Sequence, residues 1–119
     1  MAVEWTTATI VRQSLKGAGT SLTDAEIENF IEQNEGFMET VLKIPASFAY
    51  NSALKPHRFL QKLVTVMTAI DVLASTPQSF NTFTSIDAAS KILVYQYENM
   101  IKFLADQPSY RDFIINAEG

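Results

Sequence analysis

The sequence predicts an all-α protein: a small bundle of four main helices, at about 6–16, 24–43, 58–75 and 85–105, with two long connections and a C-terminal arm over 108–119. Three observations lead there. Apolar residues recur three and four positions apart in four separate stretches, which is the spacing of one helix face. Caps and breakers bound those stretches: a Thr23–Glu26 pair opens one, and Gly17, Pro45 and Pro108 close others. At 119 residues, with 47% hydrophobic and 18% charged residues, the chain has the size and apolar content of one folded domain, 1–119.

The first stretch carries Ile10, Val11 and Leu15, with Thr6 or Thr7 as its cap. Gly17 and Gly19 in KGAGTS stop it. The second has the strongest local signal. Thr23 and Glu26 stand at the spacing of a capping box, and Leu22 just before them is placed to staple onto Ile27. Ile27, Phe30, Ile31, Met38, Val41 and Leu42 then follow helical spacing, and Phe37 widens the stripe. Asp24, Glu26 and Glu28 lie where the helix dipole favours anions, and Lys43 where it favours cations. Glu39 and Lys43 form an i,i+4 pair. Gly36 dissents mildly, at a cost of about 1 kcal/mol relative to Ala.

Residues 44–56, IPASFAYNSALKP, hold two prolines and no sustained period. With Phe48, Tyr50 and Leu54 among them, they are expected to pack on the body of the protein or to meet a partner. The third stretch, 58–75, is apolar or small nearly all round, as a central buried helix is. Its charges, Lys55, Arg58 and Lys62, cluster at the start, where a basic turn opposes the helix dipole. They therefore suggest a role outside the helix. Residues 76–84 read as a loop. The fourth stretch places Ile86, Ala89, Ile92, Leu93, Tyr97, Met100 and Leu104 at helical spacing. The tail, with its short apolar run Phe113 to Ile115, is open between a strand, a last helical turn and a docking arm.

The composition excludes more than it assigns. There are no cysteines, so disulfides, thiolate metal sites and cysteine nucleophiles are all absent. The net charge of −4 argues against free or sequence-specific nucleic acid as a partner, since binding it requires Lys and Arg to displace counterions. No apolar run is long enough for a membrane helix, and the start, MAVEWTTATIV, lacks a secretion signal. The excess charge is local. Residues 1–44 hold seven acids and three bases, whereas residues 45–119 hold six of each.

No catalytic set is legible, and no cofactor or metal is expected. His57 is the single histidine, with no Asp or Glu within four positions, and reads as a surface or capping residue. Glu28, Glu32, Glu35 and Glu39 fall at i, i+4, i+7 and i+11, which puts four carboxylates on one helix face. That face reads first as a solvated outer surface, and next as the seat of a basic partner or a neighbouring subunit. A metal site comes last, for want of further acids and histidines. Tyr95, Tyr97 and Phe103 read as core residues of the fourth helix. Such a chain is expected to act by binding or assembly and not as an enzyme.

The N-terminal third, a short helix and then LTDAEIENFIEQNEGFMETVL, resembles small phage head–tail connector proteins, also called head-completion or adaptor proteins. Asp24, Ile27 and Ile31 match the family's Asp-x-x-Ile-x-x-x-Ile helix, and DAASKILVYQYENMI is similar to its later apolar helix. The resemblance covers about 6–43 and 85–104; the apolar stretch 58–75 departs from the family's more polar middle. It implies a virion or prophage part in the host cytoplasm or the virion, ringed between portal and tail, with itself and portal or tail proteins as partners. The acidic Glu28, Glu32, Glu35 and Glu39 and the basic Lys55, Arg58 and Lys62 would then meet between neighbouring subunits. An acidic face would also suit a channel through which DNA slides. The other reading of the residues is a small cellular interaction module, a homodimer that buries 44–56.

Overall fold

The periodic stretches fold as helices: α1 (Ala8–Ser14), α2 (Asp24–Val41), α3 (Lys55–Ser75), α4 (Phe80–Asp106) and α5 (Ser109–Ile115). The structure, a computed structural model, describes residues 5–15, 22–75 and 80–116, and the side chains of all of these except 80–90. The chain is all-α, with no strand among the described residues. Gly17 and Gly19, expected to stop the first helix, lie outside them, as do residues 76–79 of the loop expected at 76–84.

α3 is the axle, and the other four helices all pack on it. Its near-continuous apolar surface is the cause: eleven of its residues are buried, from His57 to Leu73. Two hydroxyls in that surface are satisfied by neighbouring helices, as buried polar groups must be. Thr65 shares a 2.7 Å hydrogen bond with Thr6 at the foot of α1. Thr68 accepts from Asn34 of α2 at 3.1 Å, and the same amide also donates to Asp71 at 3.0 Å.

α2 begins and ends by identifiable local chemistry. The Thr23 hydroxyl accepts from Glu26 N–H at 3.2 Å, and Glu26 reaches back to Thr23 N–H at 3.0 Å, completing the expected capping box. That backbone hydrogen bond holds the Glu26 carboxyl below its ordinary value of 4.5. Leu22 packs on the core, and Arg12 of α1 ties down the same end by donating to Asp24 at 2.9 Å and to Leu22 O at 2.7 Å. At the other end Lys43 adopts φ 53°, a left-handed conformation. Ile44 N–H donates to Glu39 O and Lys43 N–H to Thr40 O, which is the Schellman pattern.

Several expectations change. α3 starts at Lys55, three residues early, because Pro56 falls in its first turn, where a missing N–H leaves no intrahelical bond unmade. α4 starts at Phe80, so 80–84 are helix and not loop. The tail is neither strand nor free arm. It is a short helix, α5, whose Ile114 is buried and which packs on α3. Loop 44–54 packs on the body, with Phe48 and Tyr50 against the core.

Candidate functional site

Two features stand out once the helices are placed: a buried polar and aromatic cluster under loop 44–54, and a set of apolar side chains left facing water. The cluster forms where the residues before α1, the middle of α2 and the start of α3 converge. Trp5 is 1% exposed, and its ring meets Phe48 edge-on at 6.5 Å and Tyr50 at 6.3 Å. Phe48 and Tyr50 also flank the His57 ring, at 4.9 and 5.7 Å. The Asn51 backbone N–H donates to His57 Nδ1 at 2.9 Å, which fastens the loop to α3.

His57 is therefore not the surface or capping histidine expected; it is 2% exposed. Its position one turn into α3, on the face of Leu60 and Val64, carries it inward. Its Nε2 and the Tyr50 hydroxyl are buried with no hydrogen-bond partner in the protein among the described residues. Burial pushes the Tyr50 phenol above its ordinary 10.0; Arg58 opposes this and Glu35 adds to it. An imidazole so enclosed, with Nδ1 already occupied, meets no substrate from solution while the loop is in place.

Glu35 is the second correction. It is 6% exposed, and its Oε2 accepts from Trp5 N–H at 2.8 Å. It stands four residues after Ile31 and three before Met38, both fully buried, so the helix turns it inward with them. Glu28 and Glu39 are exposed and Glu32 is half-buried, so the stripe offers solvent less charge than its spacing suggests. Lys55, Arg58 and Lys62 are all exposed, and Arg58 Nε donates to Ser52 O at 3.0 Å. Glu28, Glu39, Lys55 and Lys62 form no ion pair among the described residues, so their charges face solvent unspent. Within the chain the structure does not bring the acidic and basic sets together.

The apolar surface was missed by pattern reading alone. Tyr95 and Phe103, expected in the core with Tyr97, are 67% and 44% exposed, and Ile92 is 59% exposed. Leu93, Tyr97, Met100 and Leu104 form the inward stripe of α4, and the exposed three lie on its other side. Phe103 stacks on Tyr110 of α5 at 4.4 Å and reaches Phe59 at 6.1 Å, and Phe113 stands out at 62% exposure. On α2, Phe37 and Val41 are more than half exposed, on the flank that also carries Asn34. Between these helices a groove of about 360 Å³ runs over α3, floored by Met67 and Ile70 and edged by Asn34, Val94 and Tyr97.

Among the described residues no three His, Asp or Glu gather as a metal site requires, and no helix is long and apolar enough to cross a membrane. Comparisons of the chain with protein-family models, with curated proteins and with solved structures give no match.

Proposed function

We propose that this chain is a structural assembly protein of the head–tail connector kind, forming a ring between a portal and a tail. One observation carries the proposal: Ile92, Tyr95, Phe103 and Phe113 are 44–67% exposed on adjoining helices of a chain this small. Large apolar side chains left exposed on adjoining helices support an interaction face there. Two oppositely charged sets on different helices favour a head-to-tail contact, in which one subunit's patch meets a different patch on the next. Exposed Glu28 and Glu39 form one set, and exposed Lys55, Arg58 and Lys62 the other. Glu35 has no part in such a contact, because it is committed to Trp5 inside the subunit.

The homodimer reading loses its original support, since Phe48 and Tyr50 of loop 44–54 pack on the chain's own core. A dimer would have to be built on the α4 face instead.

A charge swap tests the contact. Glu28→Lys with Glu39→Lys should weaken self-association, as should Lys55→Glu with Lys62→Glu. A mixture of the two variants, followed by light scattering, should associate again. Association untouched by either pair of changes would remove these residues from the interface.

A further inference from the structure

α5 is attached to the rest of the protein in an unusual way. Its seven residues bury one side chain, Ile114, against the core. Its polar anchor is Arg111, whose guanidinium donates to Leu42 O and, at 2.8 Å, to Lys43 O, while Asp112 pairs with it at 2.6 Å. Those two carbonyls sit at the C-terminal end of α2. The Schellman turn there uses the carbonyls of Glu39 and Thr40 and leaves Leu42 and Lys43 open to an outside donor. The surface that receives α5 thus belongs to α2 and α3.

The link from α4 is minimal. Gln107 N–H still donates to Phe103 O in helical fashion, and Pro108 is already helical at φ −57° and ψ −25°. The break is therefore about one residue wide. Pro108 keeps it a break, because a proline inside a continuous helix loses a hydrogen bond and clashes with the preceding turn. A short hinge next to a small docked element is the arrangement that permits exchange between copies.

We infer that α5 is an exchangeable arm, and that it docks through Arg111 and Ile114 onto the α2 end and α3 of a second copy of this chain. In trans the Arg111 and Ile114 contacts are made as they are in cis; the hinge must release the Tyr110–Phe103 stack and the hydrogen bond from Tyr110 N–H to Gln107 O. Donor and receiver are different surfaces, so the exchange is open to running head to tail around a ring as well as reciprocally in a dimer. The inference rests on the assembly reading above and names the element that makes the link.

The absence of cysteine makes the test clean. One population carries Lys43→Cys beside the receiving carbonyls, and another carries Ser109→Cys on α5. The two are mixed at high concentration and treated with a short bismaleimide. Exchange predicts a cross-linked heterodimer, reduced at least several-fold by Arg111→Ala on the Ser109→Cys chain. A chain carrying both cysteines, diluted, reports cross-linking in cis and shows that the variants fold. Cross-linking in cis alone overturns the exchange. If the chain self-associates under those conditions, the assembly reading survives its loss; if the chain stays monomeric, that reading fails with it.

Discussion

Glu35 shows how one side chain can belong to a different part of the molecule from its neighbours in a pattern. Four glutamates share a stripe, yet only this one is drawn inward to accept the Trp5 N–H. Removing a buried acceptor leaves its donor unsatisfied, a loss of about 1–3 kcal/mol. Glu35→Ala should therefore lower unfolding stability by about 1–3 kcal/mol in urea titrations, and Glu35→Gln, which keeps an acceptor, by clearly less. Glu28→Ala and Glu39→Ala should stay within about 0.5 kcal/mol of the parent. An equal response at all three positions would contradict the inward placement. The stripe itself was legible in the sequence, but its split was not. Charge patterning treats every carboxylate as solvated, and the deciding contact comes from a residue thirty positions earlier. One signal was available: Ile27, Ile31 and Glu35 form a straight i,i+4 run that leads into Met38 and Leu42. His57 follows the same logic, since it lies between Pro56 and Arg58 in sequence and between Phe48 and Tyr50 in space.

At the scale of elements, local chemistry was read well wherever it is self-contained. The Thr23–Glu26 box and the apolar circumference of α3 depend on residues close in sequence, and both appear in the structure, whereas α2 ends in the Schellman turn at Lys43 before Pro45 is reached. The boundaries that moved depend on context. Pro56 falls in the expected connection 44–56 and is part of a first turn, and the seven residues of α5 carry too little pattern to outweigh a strand or a coil. α4 was predicted as a helix, but its two faces were not sorted, because aromatics occur on both and only packing against α3 decides which is inside. α2 retains two correctable weaknesses. A methyl group at Gly36 would meet nothing within 4 Å, and Lys43 holds the left-handed position where glycine is at ease. Gly36→Ala and Lys43→Gly should each raise stability by about 0.5–1 kcal/mol, seen as a higher melting temperature by circular dichroism. A fall at Lys43→Gly would mean that its side chain contributes more than its backbone costs.

For the whole molecule, the charge imbalance and the exposed apolar surface have to be read together. Among the described acids of residues 1–44, Asp24 and Glu26 stand at the capped start of α2, Glu35 is structural, Glu32 is half-buried, and Glu28 and Glu39 are exposed. Three exposed bases cluster at the start of α3, and most of the exposed large apolar side chains stand on α4 and α5. Distinct surfaces of this kind fit a repeating head-to-tail contact, which closes into a ring when the rotation per subunit allows it. The native mass of the full chain, followed by mass photometry and sedimentation velocity as concentration rises, tests this most directly. The account predicts one closed species, of roughly ten or more subunits as the resemblance to head–tail connectors implies, and its loss in an Ile92→Glu, Tyr95→Glu variant that melts like the parent. A discrete dimer, or a monomer at every concentration, would contradict it.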